Sequence, residues 1–168
     1  GLPFADKSAD IVTCLFDSVN FLLEPSLVEQ TIREFARVLA PGGILYFDIV
    51  TERMVTEHFE NQKWTEDNGR FSTTWEGTYD RRQRIADTHI RVNTGVETLI
   101  RERVYPVEDI KRWVDSAGMD VLGVLDAETW RSISRRTIRA DVIAAKTPPH
   151  RYARPMKAVI ADVRRALR

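Results

Sequence analysis

Ala9-Asp10-Ile11-Val12-Thr13-Cys14-Leu15-Phe16-Asp17 and Ile44-Leu45-Tyr46-Phe47-Asp48-Ile49-Val50 are two short runs dominated by apolar and β-branched residues. Their length and scarcity of polar positions suit strands buried on both faces. Between them, Ser26 to Leu39 reads as a helix, because Val28, Ile32, Phe35, Ala36 and Leu39 fall on one stripe. Ser26 and Glu29 have the spacing of a capping box at its start, and Pro41-Gly42-Gly43 ends it in a tight turn. Strand, helix and strand make a β-α-β crossover, so the two strands are expected to be parallel and the connection right-handed. Ligands of open α/β sheets bind beyond the carboxyl ends of such strands. That rule singles out Phe16, Asp17, Ser18 and Asn20 after the first strand and Asp48 near the end of the second. The same side chains also suit capping of their own loops, and Asp48 suits capping of a helix that starts at Thr51.

Outward from this unit the period changes. From Phe71 to Tyr105 it is two, which predicts three antiparallel strands: Phe71 to Tyr79, Ile85 to Val92 and Thr98 to Tyr105, with turns at Tyr79 to Gln83 and Asn93-Thr94-Gly95. Phe71, Thr73, Trp75, Gly77 and Tyr79 share one face of the first. Aromatic residues would fill the buried face of such a sheet, and charged ones would blunt its exposed face. Val107 to Ala117 is a helix stopped by Gly118; Met119 to Leu125 is a strand; and Ser132 to Thr147 holds a last strand in which Ile138, Ala140, Val142 and Ala144 alternate. Pro148-Pro149 precedes a tail, 148–168, whose stretch from Tyr152 to Arg168 reads as a basic amphipathic helix. Met156, Val159, Ile160, Val163 and Leu167 lie on one side of it. Such a helix packs on its own domain or on a second subunit more often than on a membrane.

The 168 residues, 43% of them hydrophobic, are enough for one domain with its own core. Lysine plus arginine and aspartate plus glutamate are both 25, and the net charge of zero argues against nucleic acid or an anionic membrane as the main partner. The tail is an exception, with six basic residues between His150 and Arg168 against Asp162. Cys14 is the one cysteine, so no disulfide forms within the chain, and mid-strand it reads as a small buried hydrophobe. No apolar run is long enough to span a bilayer, and no signal peptide is evident, which makes a cytoplasmic enzyme the expectation. His58, His89 and His150 fall at no metal-ligand spacing, and there is neither a Walker loop nor a Gly-x-Ser-x-Gly elbow.

Leu2-Pro3-Phe4 with Asp6 and Ser8 to Val12, Phe16-Asp17-Ser18-Val19-Asn20-Phe21-Leu22, and Arg37-Val38-Leu39-Ala40-Pro41-Gly42-Gly43 resemble the second half of a class I S-adenosylmethionine-dependent methyltransferase. The likeness is to the small-molecule, type 11-like branch and covers roughly residues 1–147; Ala117-Gly118-Met119 adds to it. It implies an α/β fold with a partial Rossmann-like sheet, its strands corresponding to 4-5-7-6 of that family with the last one antiparallel. It also implies an inserted three-stranded antiparallel lid at about 64–105. S-adenosylmethionine is the implied cofactor, with Leu2, Pro3 and Phe4 along its adenine and Phe16, Asp17 and Ser18 beside it. Asp17 is the implied catalytic residue, orienting the nucleophile or accepting its proton. Asn20, Asp48, Trp75, Tyr79, Arg103 and Tyr105 are the implied contacts to a small-molecule acceptor; no metal, nucleic acid or membrane is implied. The family's Gly-rich cofactor loop would lie upstream of Gly1, and no Gly-x-Gly-x-x-Gly occurs in this sequence. The chain, which starts without methionine inside a motif, is therefore expected to be cut from something longer or completed by a partner. A homodimer or a missing N-terminal segment should then cover the open edge of the first strand. A non-catalytic methyltransferase-like module, serving in dimerisation or regulation, is the alternative.

Overall fold

A computed structural model describes residues 1–146 and 153–167. β1 (Ala9–Cys14) and β2 (Leu39–Val50) are parallel neighbours, joined through α1 (Pro25–Val38). β8 (Arg139–Lys146) runs antiparallel to β2, and β7 (Met119–Asp126) runs antiparallel to β8, which gives a mixed sheet of order β1-β2-β8-β7. Strand alternation divides its side chains between two cores. Leu45, Phe47, Ile49, Ala140, Val142 and Ala144 meet the apolar stripe of α1 and Ile110, Trp113 and Val114 of α3 (Val107–Ser116). On the opposite face, Ile44, Leu125, Ile143 and Ala145 meet Met156 and Ile160 of α4 (Ala153–Ala166).

The basic tail helix thus packs on its own domain. Arg164 donates from Nε to the carbonyl of Trp130, and Val159 and Leu167 stay exposed. The expected linker residues Pro148 and Pro149, and the tail residues His150, Arg151, Tyr152 and Arg168, lie outside the described residues. No helix of the described residues is long and apolar enough to cross a membrane.

Four sequence expectations need correction. Helix α1 begins at Pro25, whose fixed φ and missing N–H suit the first helical position. Ser26 is therefore inside the helix and makes no capping box, and Glu29 instead pairs with Arg33 at 2.6 Å. Pro41-Gly42-Gly43 is a bulge within β2 rather than a turn before it, since Ala9 pairs with Leu39 and Ile11 already with Ile44. Gly43 is required there, because a Cβ would sit 2.9 Å from the carbonyl oxygens of Ala40 and Asp10. β1 is not buried on both faces: it is the sheet edge, where Val12 and Cys14 are partly buried on one face and Ile11 on the other is 62% exposed.

The fourth correction concerns the inserted sheet, which has four antiparallel strands in sequence order: β3 (Lys63–Asp67), β4 (Ser72–Asp80), β5 (Ile85–Val92) and β6 (Glu97–Arg103). β3 is an edge strand in which Trp64 alone is partly buried, so it carries no readable alternation. Trp64 stacks on Trp75 with ring centroids 5.6 Å apart and planes 4° from parallel. α2 (Glu52–His58), capped by the Thr51 hydroxyl, connects the sheets and sets Val55 against Ala86 and Val104. Gly77 lets the Phe59 backbone cross the second sheet, since a Cβ there would fall 2.2 Å from the Phe59 carbonyl oxygen.

Gly77→Ala is therefore expected to cost about 2 kcal/mol or more. Gly123→Ala, whose Cβ would meet its nearest side chains at an ordinary 3.5 Å, should stay within about 1 kcal/mol of the parent. Chemical denaturation of both variants checks the contrast.

Candidate active site

After β1 the backbone enters the left-handed region twice in succession, at Phe16 (φ 59°) and Asp17 (φ 50°). Asp tolerates this conformation, whereas for a bulky residue such as Phe it is an outlier costing about 1 kcal/mol or more. Three bonds offset the cost. The Asp17 N–H donates to Asp48 Oδ2 at 3.0 Å, the Ser18 hydroxyl to the Leu15 carbonyl at 2.6 Å, and the Asn20 N–H to the Asp17 carbonyl at 2.7 Å. The consequence is that the Phe16 ring stands clear of the protein, 81% exposed, at the carboxyl end of β1.

Asp48 is reached by the alternation of β2: Ile44 and Tyr46 share its face, and it faces Asp141 across the β2–β8 ladder. Both carboxylates are buried, Asp48 at 5% and Asp141 at 4% exposure. Arg139, two residues before Asp141 and on the same face, supplies the countercharge. Its guanidinium donates to Asp48 Oδ2 and, at 3.0 Å, to Asp17 Oδ2. Burial, and then the nearby Asp48 charge, raise the Asp141 carboxyl above the usual carboxylate range. A cavity of about 400 Å³ opens beside this cluster, with Phe16, Tyr46 and Trp130 as aromatic walls and Asp48, Asp141 and Arg139 as polar ones.

The four-stranded antiparallel sheet brings a further carboxyl group. Glu102 lies on β6 opposite the buried Ala86, on the sheet face that also carries Tyr79, and its Oε1 is buried without a partner. Burial pushes its pKa up to about 7; the Asp17 charge adds to the rise and Arg139 opposes it. Asn20 fixes this approach. It is fully buried, donates from Nδ2 to the Arg103 carbonyl at 2.8 Å and accepts the Val50 N–H on Oδ1 at 3.1 Å. The Asn20 amide thus ties the end of β6 to the end of β2.

Among the expected site residues, Phe16, Asp17, Ser18 and Asp48 come together, and Asn20 lies beneath them as a framework clamp. Leu2, Pro3 and Phe4 lie at the other end of β1, held by Arg37, which donates to the carbonyls of Leu2 (3.1 Å) and Phe4 (2.9 Å). Tyr105 is buried, donates to the Leu22 carbonyl and meets Trp113 edge to face at 5.6 Å. Tyr79 donates to Glu52 at 3.0 Å, and the Trp75 indole N–H is buried without a partner. Arg103 alternates with Glu102 and faces away from it. Sequence reasoning missed Glu102 and Arg139. The available signals were an acid on the Ile100-x-Glu102-x-Val104 face of β6, and the Arg139-x-Asp141 face of β8 opposite the apolar alternation.

Comparison with known proteins bears on this arrangement. Residues 1–47 match the family described as a methyltransferase domain. A candidate methyltransferase of Geobacillus sp. (strain WCH70) is 28% identical over 149 residues, or 83% of this chain and 60% of that protein. The chain is similar to the class I S-adenosylmethionine-dependent methyltransferases over part of their length. The methyltransferase fold is shared with an S-adenosylmethionine-dependent methyltransferase from Clostridium acetobutylicum at a TM-score of 0.74 and 18% identity, over 87% of this chain and 60% of that one. It is shared as well with CalS10 of Micromonospora echinaspora, an amino pentose methyltransferase with S-adenosylmethionine bound, at a TM-score of 0.64 and 18% identity, over 88% of this chain and 61% of that one. The chain thus spans about three fifths of the length of these relatives.

Because the folded pKa of Glu102 is raised above its unfolded value, this residue costs no stability at low pH, where both states hold the proton. The cost grows as pH rises through the interval up to about 7 and is complete above it. Glu102→Gln should accordingly melt higher than the parent at pH 8 and at the same temperature at pH 4. Thermal melts at the two pH values check the sign.

Proposed function

We propose that the chain carries the acceptor side of a methyltransferase that moves the methyl group of S-adenosylmethionine to a small-molecule acceptor. The observation that carries this reading is the grouping of Asp17, Asp48, Arg139 and Glu102 near the carboxyl ends of β1 and β2 in a chain similar to this family. When bound, the cofactor supplies an electrophilic methyl on a sulfonium. The residues present fit one flank of such a cation: Phe16 offers an exposed aromatic face beside a cavity lined by two carboxylates.

Each protein group has a distinct task. Arg139 fixes Asp17 and Asp48, so their oxygens are oriented acceptors rather than mobile bases. Glu102 takes the proton that the acceptor gives up, since a carboxyl group titrating near 7 is well matched to neutral pH. Trp75 and Tyr79 on the lid, with Asp48 below, shape the space for the acceptor. The open edge of β1, with Ile11 and Leu15 exposed, supports completion of the sheet by an upstream segment or by a second copy of the chain. A non-catalytic role in dimerisation or regulation is the alternative reading.

Transfer of labelled methyl groups to a panel of small amines and alcohols separates the readings. The rate should rise with pH through about 7, and Glu102→Gln should lower it by roughly a hundredfold or more. Transfer that Glu102→Gln leaves intact contradicts the role given to Glu102. Absence of both transfer and cofactor binding favours the non-catalytic role.

A further inference from the structure

A second cavity, of about 260 Å³, lies on the outer side of the junction between β6 and α3. Its walls include Arg84, Arg103, Tyr105, Pro106, Asp109 and Trp113. Arg84 sits in the β4–β5 turn with a left-handed backbone (φ 55°), and its carbonyl accepts the Val104 N–H at 2.9 Å. That bond sets the turn directly against the end of β6. Arg103 Nε is buried with no hydrogen-bond partner. Among the described residues no ion pair engages either guanidinium. Asp109, the one carboxylate on the wall, is already paired with Arg112 at 2.9 Å, and Glu24 acts on the nearby Tyr105 only through its charge. Glu108 and Asp109 in the first turn of α3 offset the positive end of that helix, so the two guanidinium groups supply the cationic character of the cavity.

We infer that this cavity binds a phosphoryl group carrying a small organic substituent, at a site separate from the Asp17–Arg139 cluster. Two guanidinium forks from different strand ends call for an acceptor with oxygens in more than one plane. A tetrahedral phosphoryl group can engage both, whereas a planar carboxylate fills one. Tyr105, Trp113 and Pro106 leave the rest of the cavity apolar, suited to a compact substituent. The inference does not depend on methyl transfer.

Calorimetric titration of the chain with phenyl phosphate, inorganic phosphate, benzoate and acetate tests it. Phenyl phosphate should bind at least tenfold tighter than benzoate, and inorganic phosphate tighter than acetate. Arg84→Gln and Arg103→Gln should each weaken phenyl phosphate at least tenfold, while Lys111→Gln, on α3 outside the cavity, should leave it unchanged. Arg84 is exposed in a turn that glutamine can adopt equally, so Arg84→Gln decides the matter if Arg103→Gln fails to fold. No phosphate binding at millimolar concentration, equal affinity for phosphate and carboxylate probes, or full affinity in Arg84→Gln would overturn the inference.

Discussion

The Arg139 guanidinium bonds two carboxylates, Asp17 from the loop after β1 and Asp48 from β2, and the carboxyl end of the sheet depends on that arrangement. Asp48 is nearly inaccessible to water, and Asp141 lies beside it equally buried. Without the cation, burial of these charges would be strongly unfavourable. With it, Asp48 has charge to spare for the Asp17 N–H, which helps to hold the strained Phe16-Asp17 backbone. One ion-pair cluster therefore sets a loop conformation, the exposure of an aromatic ring and the field felt by Glu102.

The second sheet is part of the same construction. Asn20 bonds both β2 and β6, so the strand bearing Glu102 is fixed to the strand bearing Asp48. Gly77 and the Phe59–Trp64 edge contact hold the second sheet against the Phe59 segment. The two sheets thus converge on a single cluster of titratable groups, in which Glu102 has a buried oxygen without a hydrogen-bond partner and is pushed up to about 7.

Much of this was legible in the sequence, and the exceptions have physical causes. The apolar stripe of α1 and the strand on each side of it gave the crossover, because buried periodicity is local. Asp17 and Asp48 could be placed because strand ends locate ligands in such sheets. Arg139 could not, since its partners lie 122 and 91 residues away in the chain and only the antiparallel register of β8 brings them together. Glu102 looked like one more charge on an exposed strand, and its burial follows from the Asn20 clamp. β3 was missed for want of alternation, and the helix start was misplaced by one residue because Pro25 outcompeted Ser26.

The central claim is that the fold delivers a buried carboxyl group beside the Asp17–Arg139 pair, poised to exchange a proton near neutral pH. The direct measurement is a ¹³C NMR titration of the glutamate carboxyl groups of the chain, with the Glu102 signal assigned by its loss in Glu102→Gln. A midpoint near 7 is the predicted result. A midpoint near the ordinary value of about 4.3 would contradict the account, because Glu102 would then be solvated and remote from the site.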